Sequence, residues 1–235
     1  MRAAELLGAM PKRSPRARRA TTRRARRRPG RPVGHSGDAE RSILDAALST
    51  FAARGYPATG IRDIVTAAGI TQPTLYHHFR TKAELFTRIL EIHCDPALGT
   101  WEQLVQNAHA KEWRHLLHRF TGESFEFALT DPRIPRLLFQ STFGPPVPEV
   151  QGAVEAMASR RFVIVRRIMT LALEADAISV AGAAGGADGL ALAFCCLVDQ
   201  HVNVLCRDSA TVRLLTPELA GWLVNIFLSG ATSPK

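Results

Sequence analysis

From Asp38 onward the apolar positions fall into a helical rhythm. Ile43, Leu44, Ala47, Leu48 and Phe51 recur at the spacing of one helix face, and Gly55 stands where such a helix stops. Read this way, the chain predicts helices over 38–54, 60–67, 71–79, 81–94, 100–109, 111–130, 132–141, 148–175, 186–207 and 216–229. Capping chemistry marks several starts. Thr81 to Glu84 has the form of a capping box, and Asp131-Pro132 and Thr216-Pro217 each set a capping oxygen before a helix-opening proline. Breaks fall at Gly144-Pro145-Pro146 and between Asp176 and Asp188, where Gly and Ala accumulate. No strand alternation and no repeat is sustained, so the expected fold class is all-α.

Within Gly55 to Phe79 two short helices are separated by Ala68-Gly69-Ile70, the signature of a helix-turn-helix. Ile61, Ile64, Val65, Leu75 and Phe79 would face inward. Gln72, Pro73, Thr74, Tyr76, His77 and His78 are left mostly outward. That outer edge suits a major groove: Gln can bond bidentately to adenine, and Thr can meet a thymine methyl, a base edge or a phosphate. Gln72, Pro73 and Thr74 are therefore expected to read bases. Arg62, Tyr76, His77, Lys82 and the helix start capped by Thr71 would position the protein on phosphates, with Thr59 placed beside them as a further contact and possible cap sharer.

Charge adds a second candidate contact. Residues 1–37 hold eleven Arg, one Lys and one Glu, a local net charge of +11 within a total of +9, which leaves −2 for everything after Gly37. Such a segment is expected to be a disordered basic arm. Its Arg28-Pro29-Gly30-Arg31-Pro32 partly resembles an AT-hook core, so Arg28 and Arg31 are candidate minor-groove contacts. A solubilising extension is the plainer reading.

From Arg41 to Phe86 the sequence resembles the TetR-type (tetracycline-repressor-like) regulators. The resemblance is carried by Gly55-Tyr56, Ile61-Arg62-Asp63-Ile64, Ala67-Ala68-Gly69-Ile70-Thr71, Thr74-Leu75-Tyr76-His77-His78-Phe79 and Lys82-Ala83-Glu84-Leu85-Phe86. It implies that the third helix enters the major groove while Tyr76, His77 and Lys82 touch phosphate. Gly60 and Pro73 depart from the usual residues, though both are compatible with a helix start. The same resemblance implies three parts: the arm at 1–37, a DNA-binding head at 38–86, and a helical effector-binding and dimerisation bundle at 87–235.

In that second part Trp101, Trp113, Phe125, Phe139 and Phe143 either line an effector cavity or are plain core. Leu190, Phe194, Leu197, Leu205, Leu223 and Phe227, on the last two long helices, either pair with a second copy or are buried within one protomer. The expectation is a homodimer on a pseudo-palindromic duplex operator, released by a small apolar or amphipathic molecule entering between residues 101 and 200.

Rival functions are weaker. The chain has no nucleophile elbow, phosphate loop or zinc signature, so no enzyme activity and no cofactor is expected. His77-His78, and His115 with His118 and Glu112, fall short of a metal site. Cys94, Cys195, Cys196 and Cys206 have no paired spacing and are expected as reduced thiols. No signal peptide is legible, and Leu190 to Val198 runs into Asp199, Gln200 and His201, so no membrane span and a cytoplasmic location are expected. The remaining alternative is an architectural DNA-binding protein acting mainly through its arm.

Overall fold

The structure is a computed structural model that describes residues 36–178, 185–208 and 210–231. Among these residues there are nine α-helices and no strand. Helices α1 (Ser36–Arg54), α2 (Ile61–Ala68) and α3 (Gln72–His78) form the head with the start of α4 (Lys82–Gln106). The bundle continues through α5 (Trp113–Thr130), α6 (Arg133–Phe143), α7 (Pro148–Glu174), α8 (Gly186–Leu205) and α9 (Pro217–Ala231).

The head closes around three aromatic rings. Phe51, Tyr56 and Phe86 stack mutually at centroid distances of 5.4, 6.0 and 5.3 Å, and Ile43, Ile64, Leu75 and Leu85 are fully buried around them. Two glycines make the turns possible. Gly55 (φ +83°) ends α1 and Gly69 (φ +66°) ends α2, both left-handed conformations that strain any residue with a Cβ. Thr71 Oγ1 accepts from the Thr74 amide at 3.4 Å and Thr81 Oγ1 from the Glu84 amide at 3.0 Å. Glu84 accepts from the Arg80 amide at 2.7 Å, one residue before the amide a capping box would use.

Helix α4 departs from the expectation of two helices, because it runs unbroken through Pro96. Proline in a helix interior removes one hydrogen bond and costs ~3 kcal/mol. Here Leu90, Cys94, Leu98, Trp101 and Val105 stay buried on both sides of it, so the packed seam outweighs the local defect. The boundary expected at residues 86 and 87 falls inside this helix.

In the bundle α7 is central, packing on α4, α5, α6 and α8. Phe194 of α8 meets Phe227 of α9 edge-on at 5.0 Å, deep in one protomer. Of the six residues expected at an interface, Leu190, Phe194 and Leu223 are buried within the protomer, and Leu197, Leu205 and Phe227 are half-buried against the same core. The outward apolar groups of these helices are different residues. They are Leu192 (58% exposed), Cys196 and Val204 on α8, and Trp222 (54% exposed) and Ile226 on α9.

Taken at full length, α8 is apolar and long enough to cross a bilayer, despite the polar residues from Asp199 to His201. It packs against α5, α7 and α9, which bury 39% of that stretch. Burial also pushes the Cys94 thiol up to about 12 and the Cys195 thiol up to about 11, well away from the reactive thiolate range.

Candidate nucleic-acid interface and its links to the bundle

Helix α3 is held by Leu75, fully buried, and by the buried Phe79 at its end. With that face anchored, Thr71, Gln72, Pro73, Tyr76 and His77 are exposed, and Thr74 is half-buried with its Oγ1 2.9 Å from Thr71 Oγ1. No acidic residue lies on α3. The exposed Arg62 extends the surface from α2, and Arg80 extends it from the turn after α3. Arg80 was passed over in the sequence because it has no helical register of its own. Its position between Phe79 and the Thr81 cap was the available signal.

Two expected contacts are placed otherwise. Thr59 is buried, and its hydroxyl donates to the carbonyl oxygens of Gly55 at 2.8 Å and Thr50 at 3.3 Å. It seals the end of α1 and is not presented to a DNA partner. Lys82 Nζ donates to the carbonyls of Tyr56 at 2.9 Å and Thr59 at 3.0 Å, and lies 4.1 Å from the centre of the Tyr56 ring. Its ammonium therefore pins the loop between α1 and α2 onto α4. The capping role given to Thr59 falls to Asp63, whose carboxylate accepts from the Gly60 amide at 2.8 Å and pairs with Arg54 at 3.1 Å. Arg28 and Arg31 lie outside the described residues.

Head and bundle are joined along α6. The Arg133 guanidinium donates to Ser49 at 2.6 Å and pairs with Asp45 at 2.8 Å, both on α1, while chelating Asp131. Partial burial works to raise the Asp131 carboxyl, but the Arg133 hydrogen bonds outweigh it and hold it below the usual carboxylate range. Further along α6, Gln140 donates to the Ala52 carbonyl at 3.2 Å, and Arg136 donates to the Cys206 and Arg207 carbonyls at 2.8 and 2.9 Å. One helix thus grips both the head and the end of α8. Tyr56 lies near Glu149 of α7. Burial, then the charge of Glu149 and a hydrogen bond to it, push the Tyr56 hydroxyl up to about 12.

The expected effector residues are not brought together. Trp101 packs edge-on against Phe120 at 5.2 Å with its indole N–H on Glu123 at 2.8 Å, and Trp113 and Phe125 are buried core. Phe139 and Phe143 stack at 4.7 Å and line a cleft of about 380 Å³ shared with the head turn Gly55-Tyr56-Pro57. A second cleft of about 440 Å³ lies between α1, α4 and Arg133. Among the described residues no cluster of three or more His, Cys, Asp or Glu is placed to hold a metal ion.

Comparison with known proteins sets this geometry in context. Residues 43–89 match the family described as bacterial regulatory proteins, tetR family. The chain is 31% identical over 128 residues to the HTH-type transcriptional activator FasR of Mycolicibacterium smegmatis, covering 53% of this chain and 58% of that protein. It is 38% identical over 84 residues to the HTH-type transcriptional repressor KstR2 of Rhodococcus jostii, covering 36% and 40% respectively. The chain thus spans about half the length of these curated relatives. In fold it is similar to the transcriptional regulator FadR from Bacillus subtilis in complex with stearoyl-CoA, with a TM-score of 0.65, 17% identity, and coverage of 81% of this chain and 98% of that one. It is likewise similar to NalD, the secondary repressor of the MexAB-OprM multidrug efflux pump in Pseudomonas aeruginosa, with a TM-score of 0.62, 23% identity, and coverage of 86% and 100%.

Proposed function

We propose that this chain, whose residues 43–89 match the tetR family of bacterial regulatory proteins, is a sequence-specific, ligand-responsive repressor of transcription that binds a pseudo-palindromic operator as a homodimer. The observation that carries the reading is the outer face of α3. It is polar, free of acids, and fixed in orientation by Leu75 and Phe79. Gln72, Pro73 and Thr74 read base edges, while Arg62, Tyr76, His77 and Arg80 meet phosphates. Lys82 acts one step back, by holding the loop that carries Tyr56 and Thr59.

Dimerisation falls to the outward faces of α8 and α9, through Leu192, Cys196, Val204, Trp222 and Ile226. A two-fold axis there would set two copies of α3 about 34–36 Å apart, the spacing of successive major grooves. An effector that favours another spacing then lowers DNA affinity. The direction of regulation rests on where the operator lies, since similar proteins are named an activator and a repressor. As a regulator of duplex DNA it acts in the cytoplasm.

The test against an arm-driven architectural protein is removal of residues 1–37. The truncated chain should keep its preference among captured genomic fragments, with lower affinity and a shallower salt dependence. Loss of all binding on truncation would assign DNA binding to the arm and overturn the proposal.

A further inference from the structure

We infer that Arg136 of α6 is a positioning residue for DNA recognition: it holds the head at a fixed angle to α8 and thereby sets the spacing of operator half-sites that the protein accepts. The inference rests on the regulator reading, with the outward face of α8 joining two copies, and adds the residues that determine spacing.

Two routes join the head to the bundle. The first is α4, whose Phe86 packs on Phe51 and Tyr56 in the head and whose Trp101 packs on Phe120 in the bundle. Between those anchors stand Pro96, which has no N–H for the Ile92 carbonyl, and Gly99. Both residues weaken a helix against bending. A connector with a soft point at its middle fixes where the head is, but not how it is turned.

The second route is α6. Asp45, Ser49 and Ala52 lie a turn apart on one face of α1, and each is held from α6: Asp45 and Ser49 by Arg133 at 2.8 and 2.6 Å, the Ala52 carbonyl by Gln140 at 3.2 Å. Asp131 orients the Arg133 guanidinium at 2.6 Å, and the buried Ile134 and Leu137 fix α6 in the core. Between Arg133 and Gln140 along the helix, Arg136 reaches α8 instead. Its Nη2 donates to the Cys206 and Arg207 carbonyls where α8 ends. Carbonyls at a helix end have no intrahelical donor, and the negative pole there favours a cation. The grip lies two residues past Val204, an outward apolar group of α8. A continuous path therefore runs from α1 through α6 to the proposed interface.

The ties are partly exposed, with Arg133 keeping 36% and Asp45 64% of their side-chain surface in solvent. Pairs of this kind add little stability, so their consequence is orientation. Loss of one leaves the fold standing and frees the head to turn. A protein that was merely loosened would instead bind every duplex less well in the same proportion.

The experiment measures the affinity of the full chain for three duplexes: the inverted repeat that the wild type enriches from a random pool, the same repeat with one base pair added between its halves, and a single half-site. The wild type should favour its own spacing. Arg136→Met should lose about tenfold of that preference, with its affinity for the single half-site unchanged. Arg136→Lys, which keeps a cation for both carbonyls, should recover most of it. Arg133→Met frees the other end of α6 and should give the same loss, so it decides the matter if Arg136→Met does not fold. The double variant should lose no more than either alone. Wild-type spacing preference in either folded Met variant, equal weakening on all three duplexes, or additive losses in the double variant would overturn the inference. Failure of the regulator reading shows earlier, as a wild type that enriches no repeat or binds the half-site as tightly as the repeat.

Discussion

Helix α3 and helix α9 each bury a leucine, and they use the opposite face differently. In the head, Leu75 is inward and everything opposite it is polar, so seven residues suffice to present a surface. In the bundle, Leu223 is inward and its neighbour Trp222 is outward, so apolar groups lie on both sides. A short polar-faced helix announces its role in its pattern. A helix apolar on two sides does not say which side is core.

The largest effects come from breaking the inward half of each. Leu75→Ala and Leu223→Ala should each destabilise the protein by ~2–5 kcal/mol through lost burial and a residual cavity. Chemical denaturation measures both. Trp222→Ser should instead leave the helical content intact and weaken self-association by ~2 kcal/mol, read by sedimentation across a concentration series. If Leu223→Ala dissociated the protein while leaving its unfolding midpoint unchanged, the interior assignment of that residue would be wrong.

The outward face of α3 sharpens the contrast at smaller cost. Gln72→Ala should keep the melting temperature and lose ~1–3 kcal/mol of discrimination at one or two base positions. Lys82→Ala should weaken all duplexes alike by ~1 kcal/mol, through a loosened loop, with the slope of affinity against salt unchanged. A slope shallower by about one counterion would instead mean that its ammonium leaves the Tyr56 and Thr59 carbonyls for a phosphate.

The smallest effect is one of pH. The folded Asp131 carboxyl sits below its usual value, so its share of stability is complete above an unfolded value of ~3.9 and is lost as pH falls through the lower folded value. Asp131→Asn should flatten the acid limb of stability in that window, measured by denaturation at a series of pH values.

How much was legible follows the range of the interactions. Gly55, Gly69, Thr71 and Thr81 act within four residues of themselves, and the turns and caps they predict are present. The gap expected between residues 94 and 100 is absent because the defect at Pro96 is local, whereas the seam that carries α4 past it is built from distant parts of the chain. Thr59 looked available because nothing in its neighbours shows that its hydroxyl turns back onto the Thr50 and Gly55 carbonyls. Leu190, Phe194 and Leu223 looked like an interface because amphipathic spacing marks a buried face without naming what buries it. Arg133 and Gln140, which tie α6 to α1, carry no spacing signal at all.

The central claim is that the exposed edge of α3 reads duplex sequence, and selection from a random duplex pool with residues 38–235 tests it most directly. The wild type should enrich an inverted repeat with half-sites about one helical turn apart, and Gln72→Ala should enrich the same repeat with one or two positions in each half relaxed. An unenriched pool, or an identical site recovered by both proteins, would contradict it.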